Sequence, residues 1–174
     1  MRYAQWMNLP IISLFIGSMV LMLDILTKYL TQAYIPLVNY FQYSYPYRGI
    51  PIFENVGGIE FSIVHTVNSG AAWGVLSEFQ FYLLLFRIFL ILGIGVFLLF
   101  FNQRPILSVS LSPVMAGAIG NVLDFFIYGH VIDMFHFVFW GYDYPVFNVA
   151  DSAICIGIFG TALLNFKQTQ CSYE

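Results

Sequence analysis

The sequence predicts an all-α membrane bundle of four transmembrane helices, with a small extracytoplasmic antiparallel β-sheet inserted between helices 1 and 2. The composition is one reason: of 174 residues, 60% are hydrophobic and 9% are charged, whereas soluble domains carry roughly 25% charged residues. The second reason is four apolar runs that approach the roughly 20 residues a helix needs to cross a bilayer. The predicted helices cover about 9–30, 79–101, 106–126 and 146–166, within a single membrane domain of residues 1–174.

The four runs differ in their polar content. We interpret the first as a retained span, and it contains Asp24 and Lys28, whereas the second is apolar except for Arg87. The third and fourth runs each combine an amide with a carboxylate, and their polar residues are Asn121, Asp124, Asn148 and Asp151. Ionisable groups at membrane depth are costly and usually mark function. Three of the four spans are therefore expected to share a polar interior.

The connection over about 31–78 contains the predicted sheet. From 59 to 67, apolar residues alternate with mostly polar ones, which is the period of a β-strand. Gly57-Gly58 precedes this stretch and favours a hairpin turn, with Ile52-Phe53 on the partner strand. Tyrosines and a phenylalanine upstream favour the membrane interface.

Basic residues outside the spans suggest an orientation. Arg2, Arg104 and Lys167 lie beside the N-terminus, the connection between spans two and three, and the C-terminus. By the positive-inside tendency, both termini are expected to be cytoplasmic and the 31–78 connection extracytoplasmic. The formal charge of −3 leaves no basic surface for nucleic acid, so nucleic-acid binding is excluded.

Helical spacing arranges the polar residues in pairs. Asp24 and Lys28 are four residues apart, and the pairs in the third and fourth spans are three apart, so each pair shares one helix face. Small residues at spacing four in the third and fourth spans favour close helix approach. A buried Asp can equally be a packing partner, and Asp24 with Lys28 can be a structural ion pair.

Asp133 follows the third span, and Asp151 lies in the fourth. If the chain leaves and re-enters the same membrane face there, the two carboxylates could converge and share a proton, one as general base and the other as general acid. That is the chemistry of aspartyl peptide hydrolysis. His130, Asp133 and His136 also suggest a metal site, but no His-Glu-x-x-His pattern accompanies them, so no metal is expected.

Four segments, in order along nearly the whole chain, resemble motifs of the lipoprotein signal peptidases (signal peptidase II). Asp24-Ile25-Leu26-Thr27-Lys28 resembles the family's Asp-x-x-Thr/Ser-Lys, and residues 68–74 resemble its Asn-x-Gly-Ala-Ala-Phe-Gly segment. Residues 117–133 resemble the Gly-Asn-x-x-Asp-Arg-x-x-x-Gly-x-Val-x-Asp block, and residues 147–151 the Phe-Asn-x-Ala-Asp block.

The resemblance implies a bacterial inner-membrane aspartyl endopeptidase that removes signal peptides from diacylglyceryl-modified prolipoproteins before the lipidated cysteine. It implies that Asp133 and Asp151 are catalytic, near the extracytoplasmic face, and that no metal or organic cofactor is needed. Partners would be the lipidated precursor and membrane lipids, and we expect a monomer. Substrate-binding or supporting roles fall on Asn68, Gly70, Ala71, Asn121, Asp124, Asn148, Asp24 and Lys28.

One position departs from the family pattern. The family has Arg directly after the third-span Asp, and this chain has Phe125. An Arg would supply fixed hydrogen-bond donors that Phe lacks, so either Lys28 or Arg87 compensates, substrate binding is rearranged, or activity is reduced. This departure leaves open a lipoprotein-binding homologue with impaired catalysis. The intramembrane carboxylates Asp24, Asp124 and Asp151 leave open another class of protein, a small transporter or proton-coupled channel.

Overall fold

A computed structural model describes residues 9–39, 43–69 and 77–171. Four helices in it are long and apolar enough to cross a membrane, and they confirm the four predicted runs. The first, α1, spans Leu9–Tyr34. The second, α2, spans Gln80–Val96 and continues as a π-helical turn over Phe97–Phe101. The third and fourth, α3 and α4, span Pro105–Tyr128 and Val149–Cys171.

The helices are longer than their apolar runs or shifted from them. Helix α1 continues four residues past the predicted end at 30, and α3 extends to Tyr128. Helix α4 starts at Val149 and not at 146, because the backbone of Phe147 pairs with Phe135 in an isolated β-bridge. Backbone atoms bonded in that bridge cannot join the first helical turn, so the helix begins after it.

The sheet has four antiparallel strands in the order β1-β2-β3-β4. Strands β1 and β2 cover Ile50–Val56 and Ile59–Asn68, and they form the predicted hairpin, with Val56 opposite Ile59. Gly57 and Gly58 both have positive φ in the turn between them, which a two-residue hairpin turn of this kind requires.

The sheet was predicted between helices 1 and 2, and that placement is not confirmed for the sheet as a whole, because only β1 and β2 lie there. Strands β3 and β4 cover Val131–Phe139 and Tyr142–Asp143, in the connection between α3 and α4. Strand β3 pairs with β2 along almost its whole length. Its first four residues are all buried, so both faces are covered there and the sequence shows a nearly continuous apolar run without polar alternation.

Backbone contacts divide the chain into two compact units. Unit 1 consists of Met1–Leu23, Phe86–Asn121 and Val149–Glu174, and unit 2 of Asp24–Leu85 and Val122–Asn148. A single membrane domain over residues 1–174 stays a prediction, as do the cytoplasmic termini and the extracytoplasmic side of the sheet.

Unit 1 is a packing of helix segments that approach closely at small residues. Gly157 of α4 lies against α3, where a Cβ in place of its hydrogen would lie 2.5 Å from the Ser110 carbonyl oxygen. One turn further along α4, Thr161 Oγ1 donates to Ser110 Oγ at 2.9 Å. The small-residue spacing in the fourth span therefore has the packing role expected from the sequence.

Unit 2 combines the sheet with the adjoining helix segments. Its core includes Val64, Ile132 and Met134, each at most 1% exposed. Thr31 of α1 donates to the sulfur of Met134 at 3.7 Å, so the helix segment packs directly on β3. This packing holds the first half of β3 in place, which is where Asp133 lies.

Candidate active site

The Asp133 carboxylate is buried in unit 2 and is held on both oxygens. Asp133 is 2% exposed. Asn148 Nδ2 donates to its Oδ1 at 2.7 Å, and Asn68 Nδ2 donates to its Oδ2 at 3.0 Å. Amide N–H groups on both oxygens fix the orientation of the carboxylate and stabilise its anionic form. The structure therefore brings three of the predicted site residues together.

Strand pairing explains why these two amides reach Asp133. Asn68 ends β2, and Asp133 lies opposite Thr66 in the β2–β3 register. On the other side, the bridge between Phe135 and Phe147 carries the next residue, Asn148, alongside the start of β3. Asn148 is fully buried and also donates to the Ile132 carbonyl oxygen at 3.2 Å.

Lys28 lies between two carboxylates in the same unit. Its Nζ is 2.7 Å from Asp24 Oδ2 and 2.8 Å from Asp124 Oδ2, and all three side chains are at most 5% exposed. Asp124 Oδ2 also accepts from the backbone N–H of Ile132 at 3.2 Å. The cluster thus ties α1 and the end of α3 to the residue that precedes Asp133.

Asn121 and Asp151 form the corresponding pair in unit 1. Asn121 Nδ2 donates to Asp151 Oδ1 at 2.9 Å. Asp151 lies in the first turn of α4, where the positive end of the helix dipole favours a negative charge. Gly117 of α3 lies so close to the Ala150 carbonyl oxygen that a Cβ at this position would clash with it. This close packing of α3 against α4 keeps Asn121 and Asp151 within hydrogen-bonding distance.

The predicted site residues therefore fall into three groups of contacts: Asp133 with Asn68 and Asn148, Lys28 with Asp24 and Asp124, and Asn121 with Asp151. Convergence of Asp133 with Asp151 stays a prediction. Gly70 and Ala71 lie outside the described residues.

Two further contacts at the site come from residues that no sequence motif identifies as functional. The N–H of Ile132 is a backbone donor, which any residue other than proline could supply. Thr66 Oγ1 donates to the Asp133 carbonyl oxygen at 3.3 Å, and it was recognisable only as one member of an alternating strand. The Thr66 contact depends on the β2–β3 pairing, and β3 is absent from the predicted elements.

The histidines do not gather around Asp133. Among the described residues, no group of three or more His, Cys, Asp or Glu side chains is placed to hold a metal ion. His136 lies three residues after Asp133, on the opposite face of β3, and its Nε2 is 3.0 Å from Asp143 Oδ1. Burial lowers the pKa of His130, the neighbouring His65 lowers it further, and Asp124 offsets part of this.

Comparisons with known proteins give the same assignment as the motifs. The family model described as signal peptidase (SPase) II matches residues 16–167. A lipoprotein signal peptidase of Chlamydia pneumoniae is 42% identical over 114 residues, which cover 64% of this chain. The match spans 66% of that relative, just under two thirds of its length. The lipoprotein signal peptidase of Bacillus pumilus (strain SAFR-032) is 40% identical over 114 residues, covering 63% of this chain and 74% of that protein.

Solved structures resemble the fold over most of its length. A bacterial membrane enzyme determined by the in meso method at 2.3 Å superposes with a TM-score of 0.73 at 28% identity, covering 90% of this chain and 88% of that one. A second such structure, at 1.9 Å, has a TM-score of 0.71, also at 28% identity, with 89% and 92% covered. Because the signal peptidase II family model matches residues 16–167, the chain belongs to the signal peptidase II family.

Proposed function

We propose that this chain is a membrane-embedded aspartyl endopeptidase that removes signal peptides from diacylglyceryl-modified prolipoproteins, cutting before the lipidated cysteine. The relatives that it matches are named lipoprotein signal peptidases. The observation that carries the proposal is the Asp133 carboxylate, which is 2% exposed and accepts amide hydrogen bonds on both oxygens. A buried carboxylate oriented in this way is suited to proton transfer at a fixed position.

Asp133 and Asp151 are the proposed catalytic pair. Asn148, which orients Asp133, comes three residues before Asp151 in the chain. In the proposed reaction one carboxylate removes a proton from the attacking water, while the protonated partner donates to the carbonyl oxygen of the scissile peptide. The proton taken from water then passes to the leaving amine as the C–N bond breaks.

The remaining site residues have supporting roles in this proposal. Asn121 orients Asp151, and Lys28 with its two carboxylates fixes the start of β3 through the Ile132 N–H. Gly70 and Ala71, with no bulky side chains, are proposed to leave room for the peptide backbone. Neither a metal nor an organic cofactor takes part in the proposed chemistry.

The proposed setting is the bacterial inner membrane, with cytoplasmic termini, the site near the extracytoplasmic face, and a monomer as the working unit. An apolar signal helix and two acyl chains can enter sideways from the bilayer, because α2 exposes apolar side chains such as Phe89, which is 69% exposed. The hydrophobic effect then places the lipidated part of the precursor against the helices and leaves the peptide bond for the polar groups.

The test is cleavage of a lipidated precursor by the purified protein in lipid. We expect Asp133→Asn and Asp151→Asn, made separately, each to abolish cleavage. Asp143→Asn, which alters an exposed carboxylate of β4, is expected to retain it. Normal cleavage by either of the first two variants contradicts the catalytic pair. A chelator is added in a parallel assay, because loss of cleavage on chelation would instead support a metallopeptidase.

A further inference from the structure

The face of β3 opposite Asp133 carries a buried histidine that the proposed reaction does not use. His136 is 1% exposed, and its Nε2 lies 3.0 Å from Oδ1 of Asp143, whose side chain is 60% exposed. An ionised carboxylate can only accept a hydrogen bond. Nε2 of His136 therefore carries the proton, and in the neutral ring Nδ1 has a free lone pair.

Three buried polar atoms on this face of the sheet have no hydrogen bond of ordinary geometry among the described residues: His136 Nδ1, Ser62 Oγ and Tyr45 Oη. The Tyr45 and Ser62 hydroxyls are close enough to interact with each other, and no described residue occupies the position of a partner for His136 Nδ1. Ser62 lies directly opposite His136 in the β2–β3 register, so the two side chains leave the same face of the sheet, with Cβ atoms about 4.5–5.5 Å apart. The Tyr45 ring centroid is 6.1 Å from that of the imidazole.

The order Asp143, His136, Ser62 resembles the arrangement that activates a nucleophilic serine. The burial of Ser62 excludes that role, because this side chain is 0% exposed and no acyl substrate can reach its Oγ. A buried polar atom without a partner is costly, by about 1–3 kcal/mol. Internal water molecules that make about three hydrogen bonds meet this need in folded proteins.

We propose that one internal water molecule binds between Tyr45 Oη, Ser62 Oγ and His136 Nδ1. The water donates one hydrogen bond to Nδ1, and its oxygen accepts from a neighbouring hydroxyl. Its remaining hydrogen is available to the other hydroxyl oxygen. This site is separate from the proposed peptidase reaction and does not depend on it.

The water site attaches a short turn to the sheet. This turn, residues 44–49, is closed by hydrogen bonds from Tyr47 N to Ser44 O and from Gly49 N to Pro46 O, both 2.8 Å. The backbone of this turn is in close contact with β2 at Gly49, because a Cβ added there would be 2.5 Å from the Ile63 carbonyl oxygen. Through the water, Tyr45 of the turn is joined to Ser62 of β2 and His136 of β3.

This attachment depends on a neutral imidazole. Protonation makes Nδ1 a donor, and the water then has to reverse its orientation. Four titratable groups face the ring: Asp143 on β4, Glu60 on β2, and Tyr45 and Tyr47 on the turn. Burial lowers the pKa of His136 more than the two carboxylates raise it, so the neutral form is maintained at pH 7.

The tautomer is tested on the full chain in lipid nanodiscs, with ¹⁵N-labelled histidine. The chain has three histidines, and the spectrum of His136→Gln identifies the signals of His136. We expect neutral His136 with its proton on Nε2 at pH 7.5. A proton on Nδ1, or on both nitrogens, overturns the proposal because Nδ1 could then not accept from the water.

The water itself is tested by high-resolution diffraction from the unaltered protein, because Tyr45 and Ser62 also interact with each other and a double variant would not separate that contact from a shared water. An electron-density peak bonded to all three atoms supports the site, and its absence contradicts it. Ser62→Ala removes one of the three partners and should weaken the peak, whereas Gln80→Ala, whose side chain donates to Gly129 O, should leave it unchanged.

Discussion

Asn148 donates from Nδ2 to Oδ1 of Asp133 at 2.7 Å, and both side chains are almost completely buried. The hydrogen bond joins the last residue before α4 to the third residue of β3. Because the amide also donates to the Ile132 carbonyl oxygen, its plane is fixed relative to the strand. Asn148 is therefore a positioning residue for the carboxylate of Asp133.

We predict that Asn148→Ala lowers kcat for a lipidated precursor by about 10- to 100-fold, because a hydrogen bond to a charged group contributes about 1.5–3 kcal/mol. The pH profile of kcat should shift as well, since the lost donor stabilised the carboxylate form of Asp133. The matched control is Asn165→Ala, which removes an exposed amide that accepts from Arg104 at 2.5 Å. An unchanged pH profile in Asn148→Ala would show that the amide is only structural.

Lys28→Met should lower the free energy of unfolding by about 3–5 kcal/mol, because it leaves the buried carboxylates of Asp24 and Asp124 without their cation. Adding Asp24→Asn should recover part of this loss, since one of the two carboxylate charges beside the removed ammonium is neutralised. The comparison variant is Arg104→Met, which removes a partly exposed cation that donates to an exposed amide and should cost no more than about 1 kcal/mol. Thermal unfolding in detergent measures all three. Equal losses in Lys28→Met and Arg104→Met would contradict this account of the cluster.

The sequence predicts contacts along one helix better than contacts between elements. The ion pair of Asp24 with Lys28 follows from their spacing of four residues. The second partner, Asp124, comes from another helix, and no local pattern encodes that contact. The β1–β2 hairpin was predictable from its alternation and its glycine turn, whereas β3 was missed because burial of both faces removes the alternation that identifies a strand.

The pKa of His130, lowered from its ordinary value of 6.5 chiefly by burial, gives a pH dependence of stability. Below that value the unfolded chain binds more protons than the folded protein, so stability is fully present above about pH 6.5 and falls as the pH decreases. We predict that His130→Gln loses less Tm than the unaltered protein between pH 7.5 and 5.5. Gln80→Ala removes a hydrogen bond to Gly129 without a titrating group, and should lose as much as the unaltered protein. Equal losses in all three would contradict the prediction.

Phe125→Arg introduces the Arg that the family pattern has at this position, and so tests whether its absence limits activity in this chain. Lys28 is held by two carboxylates, so its ammonium does not supply the missing donors to a substrate. We therefore predict that Phe125→Arg raises kcat/KM by about tenfold, the effect of one charged hydrogen bond of about 1.5 kcal/mol. Phe126→Arg adds the same charge at the neighbouring position, which is 67% exposed, and should not increase the rate. Equal rates in both variants would show that substrate binding in this chain does not need a cation at position 125. Activity that is present only in Phe125→Arg would identify the unaltered chain as catalytically impaired.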